Sequence, residues 1–194
     1  GSSTLAPNLH SSLRKDENNY SQSLSTVFRF SNIAAVLSFY FIYFFADDVL
    51  TLLFSEKYQA SYPIIYLFSY LSMISIIENT PELIFTTKAS HKTRIFYKGL
   101  SLAVNVGLNL VLIIKYGIKG AIFATIIANS LRLIIKYWLL RKELSFIKVF
   151  LYSLLPVIIM HFLNPWLSLT AYIIFIFLTK QLTLEDLKKI PKLT

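Results

Sequence analysis

The sequence predicts an all-α fold: a polytopic transmembrane helix bundle of about six spans. Three observations predict it. Hydrophobic residues make up 55% of the 194 residues and charged residues only 15%, against roughly 25% charged in soluble domains. The charges cluster, so the runs between them approach the ~20 apolar residues that cross a bilayer. The basic residues also sort by loop: with six spans, sixteen of the nineteen fall on one side. Five or seven spans break that sorting. The positive-inside rule makes the rich side cytoplasmic, so both ends of a multi-pass protein of the cell membrane are expected there. The same rule accounts for the net charge of +9 without invoking nucleic acid.

The chain has no cysteine, which excludes disulfides, thiolate chemistry and cysteine metal sites. His10, His91 and His161 are far apart and form no metal motif. No glycine-rich phosphate loop, nucleophile elbow or zinc motif appears, so neither an enzyme nor a cofactor is expected.

Residues 1–23 are polar and form a cytoplasmic lead-in, as an amphipathic helix or a solvated linker. The first span runs from Leu24 to Ala46, with Arg29 near the headgroups, and Asp47–Asp48 end it. The second runs from Tyr62 to Phe85. Pro63 sits in its first turn, where a missing N–H costs little, and Pro81 kinks or ends it. A basic loop leads to the third span, Ile95–Ile114, and the fourth is Ile118–Leu140. Residues 141–180 hold two further spans: Phe146–Leu163, which contains Pro156, and the short Trp166–Thr179, which must stand nearly upright or thin the bilayer. Trp138 and Trp166 fall at span ends, as interfacial anchors do. Residues 181–194 are a cytoplasmic tail in which Thr183, three residues before Asp186, starts a capped turn.

The most informative stretch is Tyr116–Asn129, YGIKGAIFATIIAN. Gly117 and Gly120 make a wet turn between Lys115 and Lys119. Gly120, Ala124 and Ala128 then recur every four residues, on one helical face. Small residues so spaced let two membrane helices approach closely, so Gly117, Gly120, Ala124 and Ala128 are the expected packing residues. The alternative is that alanine is simply common in helices.

From Thr4 to Leu140 the chain resembles the C-terminal lobe of polysaccharide exporters of the Wzx type, in the multidrug/oligosaccharidyl-lipid/polysaccharide superfamily. The residues that carry this are ADDVLTLLFSEKY (46–58), NVGLNLVLIIKYGIKGAIFAT (105–125) and LTLEDL (182–187). Ser55 stands where that pattern has a glycine, and 87–92 read TKASHK where it has a Gly-Lys pair. The resemblance implies two six-helix lobes facing a central cavity, with two extra C-terminal helices. Residues 24–140 would then be four spans of the C-terminal lobe, the first of them the ninth of about fourteen, with the N-terminal lobe missing. The implied activity is flipping a lipid-linked oligosaccharide, on an undecaprenyl- or dolichyl-type carrier, by alternating access. Its other partners would be membrane lipids, the missing lobe and glycan-assembly proteins. Two rivals remain: a drug or metabolite antiporter of the same superfamily, and a non-transporting subunit of a glycan-synthesis complex.

Ionisable groups inside a membrane are functional candidates by default. Glu78 and Glu82 lie four apart on one face, as an ion or proton site would; alternatively, Pro81 leaves Glu82 at the interface. Arg29 and Arg132 either face the cavity and attract a pyrophosphate, or snorkel to the cytoplasmic headgroups. Asn105 and Asn109, four apart, bridge helices or touch sugar. Asn129 lies in the fourth span beside Arg132. No metal site is expected, since Asp47–Asp48 sit at a helix end.

Overall fold

The bundle is built around one long helix, α1 (Glu17–Phe54). The computed structural model describes residues 17–54, 62–88, 91–141 and 145–182. All its elements are helical: α2 (Tyr62–Ile77), α3 (Asn79–Lys88), α4 (His91–Tyr116), α5 (Ile118–Leu139), α6 (Phe146–Val149), a π-helical turn (Phe150–Leu154), α7 (Leu155–Met160) and α8 (Pro165–Leu178). Leu24–Asp48, Lys92–Tyr116 and Ile118–Leu139 are long and apolar enough to cross a membrane. They mark the chain as a membrane protein. Ile147–Met160 and Pro165–Leu178 are apolar but shorter.

The apolar span ends at Asp48, as expected, while the helix that carries it, α1, runs on to Phe54. No glycine or proline occurs between residues 17 and 54, so the backbone ladder has no reason to stop. Both aspartates are exposed and stay solvated, and Asp47 also accepts a hydrogen bond from the Tyr66 hydroxyl at 2.9 Å. The expected boundary at residue 23 also lies within this helix. Residues 1–16, Ser55 and the Thr183–Asp186 turn lie outside the described residues.

Pro81 acts as the sequence predicts. It has no N–H for the carbonyl of Ile77, four residues back, and the helix is interrupted at Glu78 between α2 and α3. Pro156 has a different effect. The chain before it forms a π turn, in which the Leu155 N–H reaches the Phe150 carbonyl five residues back. Such turns absorb the bond a proline removes. Asn164 caps α8, its side chain accepting from the Leu167 N–H at 2.8 Å, and Pro165 follows at the first helical position.

The core gathers on α1. Phe28, Ala35, Val36, Phe39 and Tyr40 meet Met73, Ile74 and Ile77 of α2, Leu83 and Ile84 of α3, Leu133 and Tyr137 of α5, and Val157, Tyr172 and Ile176 of the C-terminal helices. Polar contacts also fasten those last helices. Ser153 in the π turn donates to the buried Asn32, and the Tyr40 hydroxyl donates to the Pro165 carbonyl at 3.0 Å.

α4 and α5 form a hairpin. Gly117 is the turn, with φ +57°, a conformation glycine adopts without a Cβ penalty. It was expected among the packing residues, but it is exposed and a Cβ there would meet nothing within 4 Å; the turn carries it off the packing face. Gly120 is different: a Cβ there would lie 2.0 Å from the Leu112 carbonyl oxygen. Ala124 and Ala128 are buried on the same seam. Opposite them runs a polar ladder on α4, spaced by four. Ser101 donates to the Ala128 carbonyl at 3.1 Å, Asn105 to Thr125 at 3.3 Å, and Asn109 to Asn105 at 2.8 Å. Replacing Asn105 by Ala is expected to weaken the hairpin by about 1 kcal/mol, the scale of interhelical hydrogen bonds in lipid. Unfolding in mixed micelles measures it.

Candidate functional site

The break at Glu78 sets up the site. Glu78 and Glu82 sit one helical turn apart, and across from them Arg132 and Lys136 sit one turn apart on α5. The two pairs interlock. Arg132 grips Glu78 with two N–H groups; Nε meets Oε1, and Nη2 is 2.6 Å from Oε2. Lys136 Nζ lies 2.5 Å from both Glu78 Oε1 and Glu82 Oε2. Lys98 of α4 reaches Glu82 Oε1 at 2.8 Å. The Tyr97 hydroxyl donates to Glu82 Oε2 at 2.9 Å, and Lys136 Nζ stands 4.9 Å from the Tyr97 ring centroid, within cation–π range.

The helix ends favour this arrangement. Glu82 is in the first turn of α3 and Lys136 in the last turn of α5, where the backbone dipoles favour an anion and a cation respectively. Burial is uneven. The Lys136 side chain is only 1% exposed, whereas that of Lys98 is 51% exposed. Lys136 is therefore a structural pin, and Lys98 is the member open to an incoming group. Ser75, Asn79 and the five charged residues line a polar pocket of about 390 Å³. All four carboxylate oxygens are engaged. Three cations face two anions, leaving one excess positive charge and spare N–H donors.

Of the residues singled out in the sequence, Glu78, Glu82 and Arg132 meet here. Lys136, Lys98 and Tyr97 converge on Glu82. Arg29 does not share this pocket. It lies on α1 toward the end of α8, where Nη1 donates to the Lys180 carbonyl at 3.3 Å. Asn105 and Asn109 belong to the hairpin seam, and Asn129 is partly buried on α5, outside the pocket lining. Sequence reasoning missed Lys136, Lys98 and Tyr97. It counted both lysines only toward the basic side of the bilayer. The available signal was spacing: Arg132 and Lys136 repeat the i, i+4 interval of Glu78 and Glu82.

Among the described residues, no group of His, Asp and Glu is placed to hold a metal ion. Set against family models, curated proteins and solved structures, the chain gives no match.

Proposed function

We propose that the chain is the C-terminal part of a two-lobe flippase. The whole protein moves a lipid-linked oligosaccharide across the cytoplasmic membrane by alternating access, with six spans in this part and both ends cytoplasmic. One observation supports this above the others: the pocket between α2–α3, α4 and α5, where five charged side chains gather among otherwise apolar helices. Charges placed there are costly unless they serve a pathway or a fastening. The excess cation and the exposed Lys98 suit the phosphate of a lipid carrier. They disfavour the lipophilic cations that a drug antiporter would carry. Glu78, whose oxygens are taken up by Arg132 and Lys136, then serves to hold those cations in place.

Two measurements test this in cells that carry the full-length protein. Depleting it should leave the lipid-linked oligosaccharide on the cytoplasmic leaflet with its synthesis intact. A normal distribution between leaflets removes the flippase reading, and loss of the glycan-lipid altogether points to a subunit of the synthesis complex. Replacing Glu78 by Gln frees Arg132 from its bidentate partner and should lower export about tenfold, equivalent to ~1.4 kcal/mol. Unchanged export takes Glu78 out of the mechanism.

A further inference from the structure

A second titratable cluster lies elsewhere in the fold, where α7 meets α1 and α2. His161 follows the last residue of α7. Its Nδ1 is 2.7 Å from the Val157 carbonyl oxygen, and its Nε2 is 2.5 Å from the Tyr70 hydroxyl. The rings of Tyr43, Phe39 and Tyr70 surround it, with centroids 5.0, 5.7 and 5.9 Å away. The residue is exposed at the surface of the bundle, two positions before the end of the expected fifth span.

We propose that His161 is a proton-operated latch that fastens the C-terminal helices to α1 and α2. A carbonyl only accepts, so Nδ1 carries a hydrogen in either protonation state, and Nε2 is the atom that changes. In the neutral ring Nε2 accepts from the Tyr70 hydroxyl; in the imidazolium it donates to the Tyr70 oxygen. The contact survives both states and is charge-assisted in the second.

The neighbours decide which state binds more tightly. Three aromatic rings lie within the ~6 Å over which a ring attracts a cation. The end of α7 presents the negative end of the helix dipole. Among the described residues, the titratable groups facing His161 are Tyr43 from α1 and Tyr70 from α2. The charge tied into the cluster is the anionic Asp47, held by Tyr66, whose ring packs 5.2 Å from that of Tyr43. α8 carries no charged residue. The charge-assisted contact is the tighter form of the latch. Histidine is the side chain that ordinarily titrates between about pH 5 and 8. The polar fastenings from Ser153 to Asn32, from Tyr40 to Pro165 and from Arg29 to Lys180 involve no group that titrates there. The latch does not depend on the flippase reading.

The cysteine-free sequence makes the test clean. Single cysteines at Leu52 and Leu167, both exposed, carry spin labels on the whole chain in lipid nanodiscs. The inter-label distance distribution is read at pH 5.5 and pH 8. The latch predicts a distribution about twice as broad at pH 8. His161→Gln should give the broad form at both pH values, and Tyr70→Phe, which keeps the ring, should shrink the difference. Equal widths at the two pH values in the unmodified cluster overturn the proposal, as does a full pH response that persists in His161→Gln.

Discussion

Replacing Lys136 by Met is expected to lower the stability of the folded chain by about 3–5 kcal/mol, the cost of stripping one partner from a buried ion pair. Lys136 is the innermost cation of the charged pocket, its side chain 1% exposed and its ammonium shared between Glu78 and Glu82. Methionine matches its length but leaves two carboxylates one turn apart with a smaller counter-charge. Arg132 still neutralises Glu78, whereas Glu82 keeps only the half-exposed Lys98, so Glu82 loses most. Adding Glu82→Gln to Lys136→Met should therefore recover part of the loss. Unfolding of the single and double variants in mixed micelles measures both numbers. A loss below about 1 kcal/mol would place the pair in the class of exposed ion pairs and remove Lys136 as a structural pin.

Gly120→Ala should cost about 3 kcal/mol, at the upper end for overpacking. The added methyl would sit 2.0 Å from the Leu112 carbonyl oxygen and 2.4 Å from its carbon. Both atoms are backbone, so no side chain can swing away, and α4 and α5 must separate. Separation also stretches the hydrogen bonds of Ser101 and Asn105 across the seam. Gly107→Ala on the same hairpin is the control. A Cβ there meets nothing within 4 Å, and alanine is the better helix former by up to about 1 kcal/mol, so that variant should be neutral or more stable. Equal effects at the two glycines would mean that helix propensity rather than close approach decides the outcome.

These two cases show what was readable in the sequence. The hairpin was legible because its signals are local: a Gly-X-X-Gly turn and small residues every four positions. The break before Pro81 was legible for the same reason, since the missing N–H acts on the chain's own backbone. The end of the first apolar span at Asp48 was legible, whereas the run of α1 on to Phe54 was not, because an exposed carboxylate on a helix breaks no backbone bond. Lys136 went unnoticed because its partners lie more than fifty residues away. A buried lysine and a surface lysine look identical until the neighbouring helix is in place. The π turn before Pro156 was not legible, because a proline can also simply kink or end a helix. The number of spans is the least determined feature, because Ile147–Met160 and Pro165–Leu178 are 14 residues each, about 21 Å of helix against a hydrocarbon core of ~30 Å.

The uninterrupted length of α1 has a mechanical consequence. Thirty-eight residues make a rod of ~57 Å, while its apolar part, Leu24–Asp48, accounts for 25 of them, or ~37 Å. Both tips therefore project beyond the greasy middle, and no hinge residue lies between them. A rod pivoting near its centre moves its tips in opposite directions, and a change of tilt of about 10° carries each by ~5 Å. Whatever tugs on residues 49–54 at one end is thus felt at residues 17–23 at the other, as a lever transmits force, without any relay of side chains in between.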